Sequence, residues 1–281
     1  MQHKIETTEL RLPGSPWRRA GKYGAIMRMS MANNFAYIGE ALFRSIFLVF
    51  IIFIFVQLWT LTYGVLGVER IGAYTLPQMV WYFAFAEAIM LSVPLLRRKV
   101  DEDVKTGELA YRMGKPYNYI LYLAADYLGE WLARFLLNLL IGSLLALIFV
   151  GPIPFTLGGI ASVLVLLAGA VALDFLGAAC VSLLAFWIEE TAPFYLIYRR
   201  MVMLLGGMMI PLDVFPEPLS SIARALPFSS IVYGPSRQWV SPTPGFFLET
   251  LLKVGIYGAF AFLIVFLLFR AGQRNVTVNG G

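Results

Sequence analysis

Long apolar runs alternate along the chain with short polar stretches, and the charges gather where the runs end. A helix that crosses a bilayer needs about 20 largely apolar residues. Six runs fit or approach that length. The first, 41–63, carries no charge between 46 and 56. The second, 74–96, contains Pro77, Glu87 and Pro94, and a charge-dense stretch, 97–118, follows it. The third ends at Val150, with its membrane part starting near Glu130, and Gly151-Pro152-Ile153-Pro154 then turns the chain. The fourth, 157–188, is long enough to tilt or bend. Glu189, Glu190, Arg199 and Arg200 mark a polar loop around the start of a short fifth run, 195–210. An irregular Pro- and Gly-rich segment, 211–244, precedes the sixth, 246–269, which Arg270 closes. The pattern predicts an all-α polytopic membrane protein with six transmembrane helices. Its divisions are an N-terminal segment 1–38, a transmembrane domain 39–270 and a tail 271–281.

Charge placement orients this pattern, because positively charged residues favour the cytoplasmic side. Lys4, Arg11, Arg18, Arg19, Lys22 and Arg28 precede the first run, and Arg97, Arg98, Lys99, Lys105, Arg112 and Lys115 join the second to the third. Arg199, Arg200, Arg270 and Arg274 fall on the same side. The opposite connections hold only Arg70, then none, then Arg224 and Arg237. Both termini are therefore expected in the cytoplasm, with the chain in a plasma membrane of the bacterial inner-membrane type.

Composition agrees with this. Of 281 residues, 59% are hydrophobic and only 14% charged, well below the roughly one quarter charged in a soluble domain. Mean hydropathy is +0.74. The net charge of +5 is spread over run ends rather than gathered in one basic block, so lipid and not nucleic acid is the expected partner. Cys180 is the only cysteine and His3 the only histidine. That excludes disulfides, thiolate or histidine metal sites and Ser-His-Asp chemistry. No catalytic group and no metal site is expected. Nor is a signal peptide, since the first strongly apolar run starts near Ser45 behind a polar, basic segment. The chain has no G-x-x-x-x-G-K-[ST] loop and no soluble stretch long enough for an ATPase domain, so no cofactor is expected on it.

Before the first run, Trp17, Ala20, Gly24, Met27, Met31 and Phe35 recur at steps of three and four, which puts them on one helical face. Either this helix lies in the headgroup layer or it packs on the cytoplasmic loops. Ionisable side chains inside spans cost about 2.5–3.5 kcal/mol each at the bilayer centre and face a bundle interior or cavity. Glu87 and Asp174 are the deepest, as interhelical polar links or as lining groups. Asp126, Glu130 and Arg134 share one face at steps of four and can neutralise one another. Arg44, near the start of the first run, is placed to snorkel to the interface.

Two stretches carry more than topology. Within 97–118, Thr106 is a candidate N-cap for a short helix, Gly107 a poor first residue for it, and Pro116 a stop. On composition alone this is a solvated loop or a docking knob. In 211–244, Pro216, Pro218 and Pro227 bracket a short helix, 219–226, with Ile222, Ala223 and Leu226 as its apolar face. A floppy external loop would leave Phe215, Leu219, Phe228 and Trp239 in water.

The core Asp103-Val104-Lys105-Thr106-Gly107-Glu108-Leu109, followed by Lys115-Pro116, resembles the cytoplasmic loop of ABC-2-type transporter permeases, although Met113-Gly114 stand where a Leu and a bulkier residue are expected. The helix before the first run is similar to that family's connecting helix. Ile210-Pro211-Leu212-Asp213-Val214-Phe215-Pro216 with Leu226-Pro227-Phe228 is similar to its external hairpin. The resemblance covers nearly the whole chain and implies a permease subunit of an ABC exporter. Its ATPase, binding ATP and Mg, would sit on a separate chain present in two copies. Val104, Lys105, Thr106, Gly107, Glu108, Leu109, Arg112 and Met113 would dock it. Spans one, two and five would line a pathway shared with a second permease, identical or homologous, an unlike pair being favoured. Pro211, Phe215, Pro216 and Pro227 would shape a re-entrant external hairpin. Two rivals remain: an ion-coupled carrier using Glu87 and Asp174, and a scaffold subunit without transport. A carrier of this kind often shows repeated halves, and no repeat is visible.

Overall fold

A computed structural model describes residues 16–36 and 38–279, with the side chains of 21–36, 39, 43 and 46–274 among them. Lys4, Arg11 and His3, and the side chains of Trp17, Arg18, Arg19, Ala20 and Arg44, lie outside the described residues. What is described is helical, without a β-strand. Five helices are long and apolar enough to cross a membrane: Ile46–Leu66, Leu76–Lys105, Tyr119–Val150, Leu157–Phe186 and Pro244–Arg274.

In chain order the helices are α1 (Pro16–Ala36), α2 (Ile38–Leu66), α3 (Leu76–Leu91), α4 (Leu96–Lys105), α5 (Glu108–Met113), α6 (Tyr119–Val150) and α7 (Leu157–Ser182), the last extended by a 3-10 turn, Leu183–Phe186. Then come α8 (Ala192–Leu205), a 3-10 turn Leu212–Val214, α9 (Glu217–Ala225), α10 (Phe228–Ile231), α11 (Tyr233–Val240) and α12 (Pro244–Asn279). Local chemistry sets their ends. The Gln78 side chain accepts from the Thr75 N–H at 3.0 Å at the start of α3. Asn118 and Thr156 cap α6 and α7 by accepting from Leu121 N and Gly159 N, each at 3.1 Å. Pro94, lacking an N–H, separates α3 from α4.

The axis of the fold is α3. Residues 79–89 are all buried, enclosed by α2, α6 and α11. The inner stripe of α2 is Leu48, Ile52, Val56, Trp59 and Tyr63, at the three- and four-residue steps of a helix with one packed face. Phe85 stacks on Trp239 with centroids 4.8 Å apart, which seats α11 on α3.

Polar contacts with α3 fix the course of α8. Tyr195 Oη donates to the Pro94 carbonyl at 3.3 Å, the Arg199 guanidinium reaches Met90 Sδ at 3.7 Å, and Tyr82 Oη donates to the Gly207 carbonyl at 2.6 Å. Tyr74 Oη then donates to the Asp213 carboxylate. So α8 and the turn behind it run antiparallel to α3 over its whole length, although α8 itself has only 14 residues.

Three features add detail to the sequence-based expectation or differ from it. First, α6 as a helix begins at Tyr119, ahead of the membrane part expected to start near Glu130; α1 packs along its first turns, and Lys99 and Asp103 of α4 bind its Asp126 and Tyr119. Second, the inward face of α1 is Tyr23, Ile26, Met27, Ser30, Met31 and Asn34, while Gly24 and Phe35 are exposed. It packs along α6, and so tightly that a Cβ at Gly129 would meet the Met27 carbonyl oxygen at 2.3 Å. Third, α9 starts at Glu217, and its packed residues are Ser220 and Ala223, with Ile222 outward.

Candidate functional site

The stretch between α3 and α6 is a braced elbow. Leu96, Val100, Asp101 and Asp103 form the buried side of α4, while Arg98, Glu102 and Lys105 are exposed. Thr106 does not cap the next helix. It closes α4, its Oγ1 donating to the Glu102 carbonyl at 2.7 Å, and Gly107 takes the N-cap position of α5 at φ 75°. A side chain there costs about 1–2 kcal/mol, which explains the glycine. Leu109, 1% exposed, anchors α5 inward.

Polar contacts fix the elbow to its surroundings. Asp103 accepts from Arg112 Nε at 3.2 Å and from Tyr119 Oη at 2.8 Å, tying α4, α5 and α6 together. Asp101 accepts from Thr191 Oγ1 at 2.7 Å and Arg97 Nη1 at 2.6 Å, so α4 is also held to the start of α8. Lys99 pairs with Asp126 and lies 4.7 Å above the Tyr122 ring, with Arg112 5.0 Å from that ring. Thus Asp126 turns to Lys99, while Glu130 and Arg134 pair with each other.

Of the docking residues read from the sequence, Lys105, Thr106 and Gly107 are exposed at the tip of the elbow. Val104, Glu108, Arg112 and Met113 are half-buried, and Leu109 is core. Tyr111 was not among them, yet it is 63% exposed, beneath Lys115 Nζ at 4.3 Å. Its position two residues from the buried Leu109, on the opposite side of α5, is the signal that identifies it.

The two deep carboxylates have opposite surroundings. Asp174 accepts from Tyr127 Oη and Tyr198 Oη at 2.8 Å each and from Arg199 Nη1 at 2.9 and 3.1 Å. Four groups from α6, α7 and α8 thus form one satisfied centre. Arg199, assigned from the sequence to a polar loop, belongs inside α8. Tyr195, Tyr198 and Arg199, at helical spacing, are the sequence signal for that inward face. Glu87 is 0% exposed, and neither carboxylate oxygen has a hydrogen-bond partner among the described residues. The two carboxylates are not brought together.

At the other end, the proline-rich segment is folded rather than floppy. Pro211 precedes the 3-10 turn, Pro216 caps α9 and Pro227 caps α10, with Pro211 buried and Phe215 half-buried between them. Asp213 is the hub of this end. It accepts from Arg224 Nη2 at 2.8 Å, from Tyr233 Oη at 2.9 Å and from Tyr74 Oη. Burial, then the neighbouring phenols and Asp213, push the Tyr74 pKa far above its usual range, so its phenol stays a proton donor. Among the described residues no three His, Cys, Asp or Glu side chains gather as metal ligands.

The sequence that builds these elements matches a known family. A family model described as ABC-2 family transporter protein matches residues 33–280. The chain belongs to the ABC-2 transporter family. No curated protein matches it. As an ABC-2 family protein it is an integral membrane protein and a transport permease, of a kind that works with an ABC ATPase. The family match spans the elbow, the Asp174 centre and the Asp213 hub alike.

Proposed function

We propose that this chain is the permease subunit of an ATP-driven exporter and docks a separate ATPase subunit through the α4–α5 elbow. The observation that carries this reading is the elbow's construction. An exposed tip at Lys105, Thr106, Gly107 and Tyr111 sits on helices anchored through Asp101, Asp103 and Lys99 to α6 and the start of α8. A loop that served only to set topology would not need such anchoring. Two ATPase copies, carrying ATP and Mg, would press on two such elbows.

Six crossings with both termini cytoplasmic, in an inner membrane, fit the course of α8. Fourteen residues rise about 21 Å, short of the roughly 30 Å hydrocarbon core, and the turn to Asp213 extends the path to the far end of α3. The helices α9 to α11 then serve as the re-entrant hairpin that closes the outer end. Phe47, Phe50 and Ile54 on α2 and Phe194, Ile197 and Met201 on α8 are exposed, available to a second permease, identical or homologous. The second span lies enclosed within its own chain, so α2 and α8 carry the lining role in this reading.

The test is ATP hydrolysis by the chain purified with candidate ATPase subunits, for wild type and a Gly107→Pro, Glu108→Ala variant. Proline cannot take φ 75°, so the tip is rebuilt and coupled hydrolysis is lost. Failure of any ATPase to co-purify, or hydrolysis indifferent to the change in folded complexes, rejects the reading. Glu87 favours a second reading, an ion-coupled carrier, because it is a buried carboxylate without a hydrogen-bond partner among the described residues. Loss of pH-dependent uptake in Glu87→Gln, with no ATPase present, would select it.

A further inference from the structure

A small cavity of about 30 Å³ opens where α9, α10 and α11 meet the first turns of α12, and its wall holds three cations, Arg224, Arg237 and Lys253, and one carboxylate, Glu249. Arg224 is bound to Asp213, and Lys253 donates to Glu249 at 2.7 Å and to the Arg224 carbonyl at 3.3 Å. Arg237 has no carboxylate partner among the described residues. Its Nη1 donates to Tyr233 Oη at 3.1 Å, and its guanidinium lies 4.1 Å from the Phe246 ring centroid. Three cations therefore face two carboxylates. Ser230 also lines the cavity, is 2% exposed, and its Oγ has no hydrogen-bond partner among the described residues.

A buried hydroxyl left unpaired costs about 1–3 kcal/mol, so Ser230 points to something that the cavity receives. The volume exceeds the roughly 10–15 Å³ that one water needs. Two guanidiniums, an ammonium and a hydroxyl in that wall, against the single carboxylate of Glu249, offer more donors than the two oxygens of a carboxylate can take, and suit a tetrahedral oxyanion. The cavity also adjoins the outward face of α12, where Leu252 and Ile256 are exposed.

We infer that this cavity is a phosphate-group site, held by Arg237, Arg224 and Lys253 with Ser230 donating from within. The phosphate belongs either to a lipid headgroup at the membrane surface or to a soluble anion. The inference stands apart from ATPase docking, since none of its residues is in the elbow.

The experiment titrates delipidated, full-length protein in neutral detergent with inorganic phosphate and, separately, with dihexanoyl-phosphatidylglycerol, following thermal stability and tryptophan fluorescence. Wild type binds at least one of them saturably. Arg237→Gln weakens binding by about tenfold or more. Ser230→Ala weakens it several-fold while the unliganded melting temperature stays level or rises. Binding of the lipid alone identifies a headgroup, and equal binding of inorganic phosphate identifies a soluble anion. If neither binds, or if both variants bind like wild type, the site is disproved. Should Arg237→Gln fail to fold, Ser230→Ala decides alone.

Discussion

Arg199 on α8 places its Nη1 2.9 Å from Oδ1 of Asp174 on α7, with both side chains largely shielded from solvent. Removing one partner of a buried pair leaves the other charge uncompensated, a loss of about 3–5 kcal/mol. Asp174→Ala should therefore lower thermal stability in detergent sharply. The double change Asp174→Leu, Arg199→Met should recover part of it, because an apolar pair removes both charges together while the Tyr127 and Tyr198 hydroxyls still lose their acceptor. Equal damage from the single and the double variant would show that the uncompensated charge is not the source of the loss.

The contact between Gly129 and Met27 predicts a position-specific cost. Gly129→Ala drives a methyl into the Met27 carbonyl and the Ser30 Cβ, and overpacking of this kind costs about 1–3 kcal/mol. Gly158→Ala in α7 meets nothing within 4 Å and should be neutral or slightly stabilising. Melting curves of the two variants give the comparison.

Leu109 and Tyr111 separate folding from docking. Leu109→Ala empties a buried position and should cost about 2–5 kcal/mol. Tyr111→Ala, on the exposed side, should change stability by no more than about 0.5 kcal/mol yet reduce recovery of the ATPase subunit on co-purification. Undiminished recovery would remove Tyr111 from the docking surface.

Tyr82→Phe deletes the donor to the Gly207 carbonyl. An orphaned buried acceptor costs about 1–3 kcal/mol, and the end of α8 should loosen. Faster hydrogen exchange confined to residues after Leu205 is the expected signature.

The apolar runs were legible in the sequence because lipid demands about 20 apolar residues and little else resembles that demand. Five of them stand as membrane-length helices. Less legible was α8, because its span depends on the turn behind it and on tyrosines reaching across from α3, contacts far apart in sequence. Arg199 misled for a related reason: a cation near Glu189 and Glu190 reads as a loop residue until Asp174 is placed beside it. The elbow's residues could be read as a group, but not their division into tip and anchor. That division depends on which side of α5 is turned inward, as Leu109 and Tyr111 illustrate.

The tail end of the elbow and α1 both hold one short piece of chain. Lys22 Nζ donates to the Pro116 carbonyl at 3.2 Å, Tyr23 Oη accepts from Asn118 N at 3.0 Å, and Tyr119, next in line, is bound to Asp103. Residues 116–119 therefore act as a shared axle. On the proposed docking, a stroke delivered to the tip at Gly107 would reach α6 and the first helix through these contacts as well as α5, so one push would be distributed over three rods at once.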